Sequence, residues 1–366
     1  MIKSIISILS IVMILNACQT YSDSKKIDVQ EYPELTSTQD SIIASQLNVF
    51  PKNTQISMAF IKNGEITYHG FMMKDTLRRT INYDSVFEIG SITKVFTSTL
   101  LAHFVKSGQI KLDESINKYL PFNIKDNIQL TFQQLANHTS GLPRMPGNFQ
   151  PIAMRNMSNP FKEYDEKAMS DYLSNYLDQE YNMEQGYSYS NLGAGLLGYT
   201  LEQISGKSYE QLLDSLITQP LKMDKTTTQR EKVQQNLVKG LNALGEHTPN
   251  WDLNVLMGAG GIVSSVEDLS KFALAQFDTT NIAMALTRKK TYEHSEKLAL
   301  GLGWHLIKKN GYEYVWHNGA TGGYISSMGL DMENKNAVII LLNISAYHSN
   351  SSRVSSITFD LLRTLQ

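Results

Sequence analysis

The chain has 366 residues, of which 42% are hydrophobic and 19% are charged, a composition typical of a globular protein. Its 33 Lys and Arg residues nearly balance its 35 Asp and Glu residues, so no basic field exists to attract nucleic acid, and no nucleic-acid partner is expected. A single cysteine excludes an intrachain disulfide and a thiolate cluster for zinc.

The first residues predict an export signal. A short positive start leads into an apolar run at residues 5–15, which is too short to span a membrane and fits the core of a signal peptide. Cys18 follows a small residue at the end of this run, as in a bacterial lipoprotein cleavage box. We therefore expect residues 1–18 to be a lipoprotein signal peptide, Cys18 to be lipidated and residues 19–40 to be a polar tether. A plain signal peptide with an incidental cysteine is the alternative.

The elements that follow alternate between strand and helix patterns. Two runs of alternating apolar residues, 56–61 and 66–71, flank an Asn-Gly pair, which is a strong hairpin signal. An apolar helix starts near Ser91 and stops near Gly108. Helical periodicity then recurs in the middle of the chain, and strand patterns return after residue 300. The clearest of these segments are helices at 161–177 and 193–204, strands at 301–308, 312–316, 324–330 and 337–344, and an amphipathic helix at 355–365.

Strands at both chain ends with helices between them predict an α+β fold. We expect one domain at residues 41–366, in which an antiparallel sheet flanked by helices is built from both chain ends. Its α/β part would comprise about 41–110 and 257–366, and an inserted, mainly helical lobe would comprise about 111–256. A small-molecule site is expected in the groove between the two parts.

Ser91 and Lys94 are the first candidates for chemistry. Residues three apart share a helix face, so the amine can reach the serine oxygen. A serine hydroxyl needs a neighbouring base, and an amine in a desolvated pocket can titrate low enough to act as one. The first backbone N–H groups of the helix are free to bind developing negative charge. The same Ser-x-x-Lys spacing also occurs at residues 22–25, so this pair alone is equally compatible with an ordinary helix surface.

Other sequence patterns could indicate a nucleotide site, a metal site or an α/β-hydrolase, but the surrounding sequence does not support them. Gly-Ala-Gly-Leu-Leu-Gly at 193–198 is spelled like a dinucleotide fingerprint, but no βαβ unit surrounds it, so we interpret it as small residues on a packed helix face. The eight histidines show no metal-ligand spacing, and no metal site is expected. His103 and His305 lie in apolar stretches and are interpreted as core or edge residues. The absence of a Gly-x-Ser-x-Gly elbow argues against an α/β-hydrolase.

Two further segments carry polar groups suited to a site. Tyr-Ser-Tyr-Ser-Asn at 187–191 precedes a helix; its phenols can act as acid or base if nearby cations lower their pKa, and Asn191 offers an amide to a substrate carbonyl. In His-Asn-Gly at 317–319, Gly319 would let an extended substrate lie against a strand edge beside the titratable His317. An aromatic packing loop and a glycine-rich hairpin, respectively, are the alternatives.

Taken together and in this order, Ser-x-x-Lys, Tyr-x-Asn and His-x-Gly resemble the three signature motifs of the penicillin-recognising serine hydrolases. That superfamily includes class C β-lactamases, serine D-Ala-D-Ala peptidases, D-amino-acid peptidases and related esterases. The similarity extends over about residues 56–362. Two more phrases fit it, at 135–143 and 258–265, and we interpret them as turns that shape the groove rather than as chemistry.

The resemblance implies a catalytic set. Ser91 would be the nucleophile and Lys94 would help to deprotonate it. Tyr189 would pass the proton to the leaving group and later activate water. The backbone N–H groups of Ser91 and Ala320 would form the oxyanion hole, where each donor can contribute about 3 kcal/mol to the barrier. No metal or organic cofactor is implied.

The resemblance also implies substrate-binding residues. Asn191 would hold the substrate amide, and His317 with Asn318 would face its carboxylate or equivalent end, next to the strand edge at Gly319. Typical class C β-lactamases carry Lys-Thr-Gly at the third motif, whereas this chain has His-Asn-Gly. Because a neutral histidine attracts a carboxylate less than an ammonium does, we favour a peptidase or general hydrolase over an efficient antibiotic-destroying enzyme.

The predicted function is therefore that of an exported serine hydrolase which acts through a Ser91 acyl-enzyme. Its substrate would be an amide, such as a D-Ala-D-Ala-type peptide from peptidoglycan or a β-lactam. The alternatives are a carboxylesterase on the same fold and a non-catalytic binding protein of the cell envelope. A lipid anchor at Cys18 would place the protein on the bacterial cell envelope, at the periplasmic side or the cell surface.

Overall fold

The computed structural model describes residues 34–177 and 186–366. The expected signal peptide, Cys18 and most of the expected tether lie outside the described residues. Within the described ranges, no helix is long and apolar enough to cross a membrane.

The strands of the described residues form one large sheet and one small pair. The large sheet has nine strands, all neighbours are antiparallel, and the order is β3-β2-β1-β11-β10-β9-β8-β7-β6. β4 and β5 pair separately. The strands are β1 Gln55–Lys62, β2 Glu65–Met73, β3 Leu77–Thr80, β4 Phe87–Glu88, β5 Val263–Ser264, β6 Tyr292–Ser295, β7 Leu298–Leu300, β8 His305–Lys309, β9 Tyr312–Ala320, β10 Ile325–Asp331 and β11 Asn336–Leu342.

The helices of the described residues lie on both faces of the sheet and in a lobe between its two halves. They are α1 Ser37–Leu47, α2 Thr93–Lys106, α3 Phe132–Ala136, α4 Phe149–Ala153, α5 Glu166–Asn175, α6 Asn191–Ser205, α7 Tyr209–Leu213, α8 Gln219–Leu221, α9 Met257–Gly260, α10 Val266–Phe277, α11 Ile282–Arg288 and α12 Arg353–Arg363. Because strands from both chain ends pair at β1 and β11, the predicted α+β fold with an inserted helical lobe is confirmed.

The sheet separates two hydrophobic clusters. On one face, α1 and α12 cover buried residues such as Ile340 and Leu342. On the other face α10 lies against the sheet, and Phe96 of α2 stacks on Phe272 of α10 with ring centroids 4.3 Å apart. Most residues of α2 are buried, polar ones such as Lys94 and Thr97 included, so this helix lies in the interior of the fold. The start of α2 is therefore fixed at the junction of sheet and lobe.

Some boundaries differ from the sequence predictions. α1 begins at Ser37, inside the segment expected to be a tether, because Thr36 and Gln39 form a capping box at its start. α5 begins only at Glu166, capped by Asp165, so the helix predicted at 161–177 is shorter at both ends. β9 continues beyond residue 316 through the whole His-Asn-Gly motif to Ala320.

The glycines of α6 bring that helix close to α9. An added Cβ at Gly198 would lie 3.0 Å from the Cα of Gly258, and one at Gly195 would lie 2.5 Å from the Cδ2 of Leu256. The interpretation of residues 193–198 as small residues on a packed helix face is therefore confirmed. This close packing sets the distance between Asn191, at the start of α6, and the carbonyl of Ala259 in α9.

Candidate active site

Ser91 lies in a single 3₁₀ turn, Gly90–Ile92, between β4 and α2. Gly90 has φ 49°, in the left-handed region that glycine adopts without strain. An added Cβ there would lie 2.6 Å from the backbone nitrogen of Ala320. Glycine at position 90 thus lets the nucleophile turn approach the end of β9.

Lys94 connects three segments through its amine. Its Nζ lies 2.9 Å from Ser91 Oγ, 2.9 Å from Asn191 Oδ1 and 2.7 Å from the carbonyl oxygen of Ala259. The side chain is buried, and burial lowers the pKa of Lys94 well below its usual value, with a further lowering by the charge of Arg144.

A neutral amine fits these three partners. Asn191 Oδ1 and the Ala259 carbonyl can only accept, so they take the two N–H bonds of a neutral amine. The lone pair is then directed at the Ser91 hydroxyl. The geometry therefore suits Lys94 to take a proton from Ser91.

Tyr189 lies beside this pair. The Lys94 Nζ is 4.9 Å from the centre of its ring, and the Arg144 guanidinium carbon is 5.1 Å from the same point. Burial raises the pKa of Tyr189, although its interaction with the Ser91 side chain and the charge of Arg144 both lower it. The cations near this phenol are thus outweighed by desolvation, and its pKa is not lowered below the usual value. The phenol is protonated at pH 7 and is placed to donate a proton.

Asn191 presents its two amide atoms to different partners. Its Oδ1 accepts from Lys94, and within the described part of the chain its NH₂ group has only Met145 Sδ, at 3.5 Å, as an acceptor. Ser190 caps α6 by accepting from the backbone N–H of Gly193, and this cap holds Asn191 in the first turn. The NH₂ group is thus available to a substrate carbonyl.

The third motif divides between the two faces of the sheet. His317 is buried on the face of Tyr189, with ring centroids 6.2 Å apart, and burial lowers its pKa well below its usual value. Its Nδ1 donates to the Asn318 carbonyl at 2.6 Å. The Asn318 side chain instead donates to Ser355 of α12 at 3.3 Å. The expectation that Asn318 faces the substrate is therefore corrected, since successive strand residues point to opposite faces.

A cavity of about 40 Å³ opens over the nucleophile. Ser91 and Ala320 line it together, and an added Cβ at Gly319 would lie 2.7 Å from the Ser91 backbone nitrogen. The strand end and the nucleophile turn are thus in direct contact, as an oxyanion hole made of two backbone N–H groups requires. Asn191, Trp251 and Thr321 are among the other residues that line this cavity.

His138 and His305 were not predicted as site residues, yet both lie against Tyr189. The His138 ring is 4.5 Å from the Tyr189 ring, and its Nδ1 accepts from the backbone N–H of Ser190 at 3.2 Å. His305 is buried, as predicted, but its ring lies 6.4 Å from Tyr189 and its Nε2 is 3.0 Å from the Tyr187 hydroxyl. His138 belongs to the family-like segment at 135–143. We interpreted that segment as a turn that shapes the groove and assigned no chemistry to it.

Glu88 is a second residue that the sequence did not reveal. Its buried carboxylate accepts from Asn250 Nδ2 at 2.8 Å and from the Trp251 N–H at 3.0 Å. Burial raises its pKa, against the lowering effect of these hydrogen bonds. Because Trp251 lines the cavity, Glu88 fixes a wall of the site from a position three residues before the nucleophile.

The described residues offer no other place where the motifs meet. A larger cavity of about 380 Å³ is lined by β6–β9 residues such as Leu298 and Leu306, and no motif residue reaches it. No group of three His, Cys, Asp or Glu side chains in residues 34–177 and 186–366 is arranged to hold a metal ion.

Comparison with known proteins agrees with this geometry. The Beta-lactamase family model matches residues 52–356, which is most of the chain. The chain belongs to the Beta-lactamase family. It is a serine hydrolase.

Curated relatives and solved structures are similar over much of their length. The D-alanyl-D-alanine-carboxypeptidase/endopeptidase AmpH of Escherichia coli (strain K12) is 29% identical over 68% of this chain and 68% of its own. Penicillin-binding protein 4* of Bacillus subtilis (strain 168) is 25% identical over 77% of this chain and 66% of its own. The class C β-lactamase of Rhodobacter sphaeroides superposes with a TM-score of 0.74 at 20% identity, over 90% of this chain and 99% of that one, which supports the fold.

Proposed function

We propose that this protein cleaves an amide through an acyl-enzyme on Ser91, with a D-Ala-D-Ala-type peptide or a β-lactam as substrate. The observation that carries the proposal is the Lys94 Nζ at 2.9 Å from Ser91 Oγ, with two obligate acceptors as its other partners. Such an amine can deprotonate the hydroxyl at neutral pH without an ammonium having to lose a proton first.

Acylation proceeds by attack of Ser91 Oγ on the scissile carbonyl carbon. The hydroxyl proton passes to Lys94, and the oxyanion binds the backbone N–H groups of Ser91 and Ala320. When the C–N bond breaks, the Tyr189 phenol protonates the leaving nitrogen and regains a proton from Lys94. Water then attacks the ester carbonyl carbon while the same groups accept its proton, and they return this proton to Ser91 Oγ as the ester C–O bond breaks.

Substrate choice within this chemistry follows from the third motif. Burial lowers the pKa of His317 well below its usual value, so its imidazole is neutral at pH 7. A neutral imidazole does not supply the charge of the Lys in Lys-Thr-Gly. This difference supports a peptidase or general hydrolase rather than an efficient β-lactamase, and the E. coli relative is named as a carboxypeptidase/endopeptidase.

We also propose that the protein is exported and anchored by a lipid on Cys18. Support comes from the short apolar run and the small residue before Cys18, as in lipoprotein cleavage boxes. Fractionation of cells that express the full chain should place it with the membranes, and Cys18→Ala should release it. Equal release of both proteins would exclude the anchor.

Labelling with a fluorescent penicillin tests the acyl-enzyme directly. The wild-type protein should carry one covalent label on Ser91, and Ser91→Ala should carry none. Turnover of the diacyl D-Ala-D-Ala peptide should fall about 10⁴- to 10⁶-fold in that variant, since the nucleophile is lost. An unlabelled wild type that hydrolyses only nitrophenyl butyrate would instead establish a carboxylesterase. No turnover of any substrate would support the binding protein.

A further inference from the structure

The guanidinium of Arg144 lies at the site but takes part in no bond-making or proton-transfer step of the proposed mechanism. The backbone carbonyl of Arg144 accepts hydrogen bonds from the N–H groups of Asn191 at 3.0 Å and Leu192 at 3.4 Å, so its main chain is tied to the start of α6. Its side chain is exposed, and its guanidinium carbon lies 5.1 Å from the centre of the Tyr189 ring. Among the described residues, Arg144 forms no salt bridge.

The ionisable groups that this guanidinium influences include no carboxylate of the described residues. Arg144 acts electrostatically on Lys94, His138, Tyr187 and Tyr189. No carboxylate of the described residues is among the groups that perturb these four, or that perturb the two other imidazoles of the site. Burial lowers the pKa of Lys94 well below its usual value, whereas a guanidinium is not deprotonated in proteins, so Arg144 supplies the fixed positive charge here.

The residues of the third motif supply no positive charge to bind a substrate carboxylate. His317 is neutral and buried, and the Asn318 side chain is bonded to α12 on the opposite face. Neither can hold a carboxylate at the end of a bound peptide. An arginine can, because its planar fork binds a carboxylate through two parallel hydrogen bonds.

Arg144 lies close to the reacting groups. Its guanidinium carbon and the Lys94 Nζ lie 5.1 and 4.9 Å from the centre of the same Tyr189 ring, so they are at most about 10 Å apart. In a peptide, the scissile carbonyl carbon and the terminal carboxylate carbon are about 3 to 4 Å apart. Because the Arg144 side chain is exposed and has several rotatable bonds, we infer that it turns toward a carboxylate next to a carbonyl bound at Ser91.

We propose that Arg144 binds the free terminal carboxylate of the substrate and so selects peptides that end next to the scissile bond. This inference rests on the proposed function and defines its substrate class, which is a carboxypeptidase substrate with an uncapped C-terminus. Arg144 thereby takes the place of the ammonium that the third motif lacks.

The test compares one peptide with its capped form. Diacetyl-L-Lys-D-Ala-D-Ala and the same peptide with a C-terminal carboxamide are assayed with the wild type, Arg144→Gln, Arg144→Lys and Arg155→Gln. Wild type should prefer the free acid. Arg144→Gln should lower that preference in kcat/KM at least tenfold, mainly through KM, and Arg144→Lys should restore part of it. Arg155→Gln, an exposed arginine of the neighbouring loop, should keep the preference.

Three results would overturn the proposal. A wild type that cleaves both peptides equally has no carboxylate site. An equal loss on both peptides in Arg144→Gln, with a matching loss on nitrophenyl butyrate, means that Arg144 acts through Tyr189. A wild type that labels with penicillin and cleaves the ester but neither peptide excludes the substrate class while leaving the Ser91 mechanism intact, whereas an unlabelled, inactive wild type removes both.

Discussion

At the scale of single residues, the burial of Lys94 that favours a neutral amine for catalysis also lowers the stability of the folded protein at neutral pH. The amine must be neutral to take a proton, and the structure achieves this by burying it and placing Arg144 nearby. In the unfolded chain the same amine titrates near pH 10.4. Between its folded pKa and about pH 10.4, the unfolded state therefore binds a proton that the folded state does not.

This difference predicts a pH-dependent effect of Lys94→Met. The free energy of unfolding rises with pH wherever the unfolded state binds more protons, by up to about 1.4 kcal/mol per pH unit for one group. Wild type should therefore gain stability relative to Lys94→Met between pH 7 and pH 10, as measured by urea unfolding at each pH. Hydrolysis by the variant should fall about 10²- to 10⁴-fold, the usual contribution of a general base.

Lys106→Met provides the matched control, because Lys106 is exposed at the other end of the same helix. Its stability difference from wild type should be the same at pH 7 and pH 10. A constant difference for Lys94→Met as well would mean that Lys94 is a charged ammonium in the folded protein, and the proposed base would be lost.

At the scale of elements, the contact between β9 and the nucleophile turn depends on the absence of a side chain. An added Cβ at Gly319 would lie 2.0 Å from the Ile89 carbonyl oxygen and 2.7 Å from the Ser91 nitrogen. Both atoms are backbone, so the strand end or the turn has to move. An oxyanion hole formed by one N–H from each element cannot keep its geometry after such a shift.

Gly319→Ala should therefore lower kcat at least about 100-fold, the effect of losing one oxyanion donor. Gly329→Ala is the matched control on the adjacent strand β10, since its new Cβ would meet Leu362 Cδ1 at 2.8 Å, the flexible end of a side chain on the other face. That variant should keep kcat within about twofold while losing some thermal stability. Similar losses of kcat in the two variants would mean that the sheet as a whole, and not this contact, sets the rate.

Local sequence patterns were sufficient to predict many helices and strands. They were insufficient to predict which side of the sheet each side chain of a strand faces. The Asn-Gly pair at 63–64 predicted the β1–β2 hairpin, because a two-residue turn needs positive φ and both residues have it. The predicted strand ended at residue 316, before the third motif, whereas β9 continues through that motif to Ala320. Had the strand been extended, alternation from Val315 would have placed His317 and Gly319 on the site face and Asn318 on the other.

At the scale of the whole molecule, the site is an assembly of distant segments. Lys94 binds acceptors 97 and 165 residues away in the chain. The order of three motifs indicated the family and hence the convergence of Ser91, Lys94 and Tyr189, but the roles of Glu88 and His305 arise only from packing. Glu88 bonds to Asn250 and His305 bonds to Tyr187, both more than 100 positions away, so no local pattern could predict these two hydrogen bonds.

The same burial predicts how the whole molecule responds to acid. Burial lowers the pKa of His69 and of His305 to about 4, and that of His138 and His317 well below 6.5. Below about pH 6.5 the unfolded chain binds protons at these imidazoles that the folded protein does not, so stability falls as the pH falls toward 4. Glu88 opposes this trend, because burial raises its pKa and protonation favours the folded state.

His69→Gln isolates one of these groups away from the site, since His69 lies in β2. Thermal melts from pH 7 to pH 5 should show a smaller loss of Tm for His69→Gln than for wild type, because one fewer proton uptake accompanies unfolding. His247→Gln, which changes an exposed histidine, should follow wild type throughout. If the His69→Gln curve also runs parallel to wild type down to pH 5, His69 is protonated equally in the two states, and its burial does not govern the acid response.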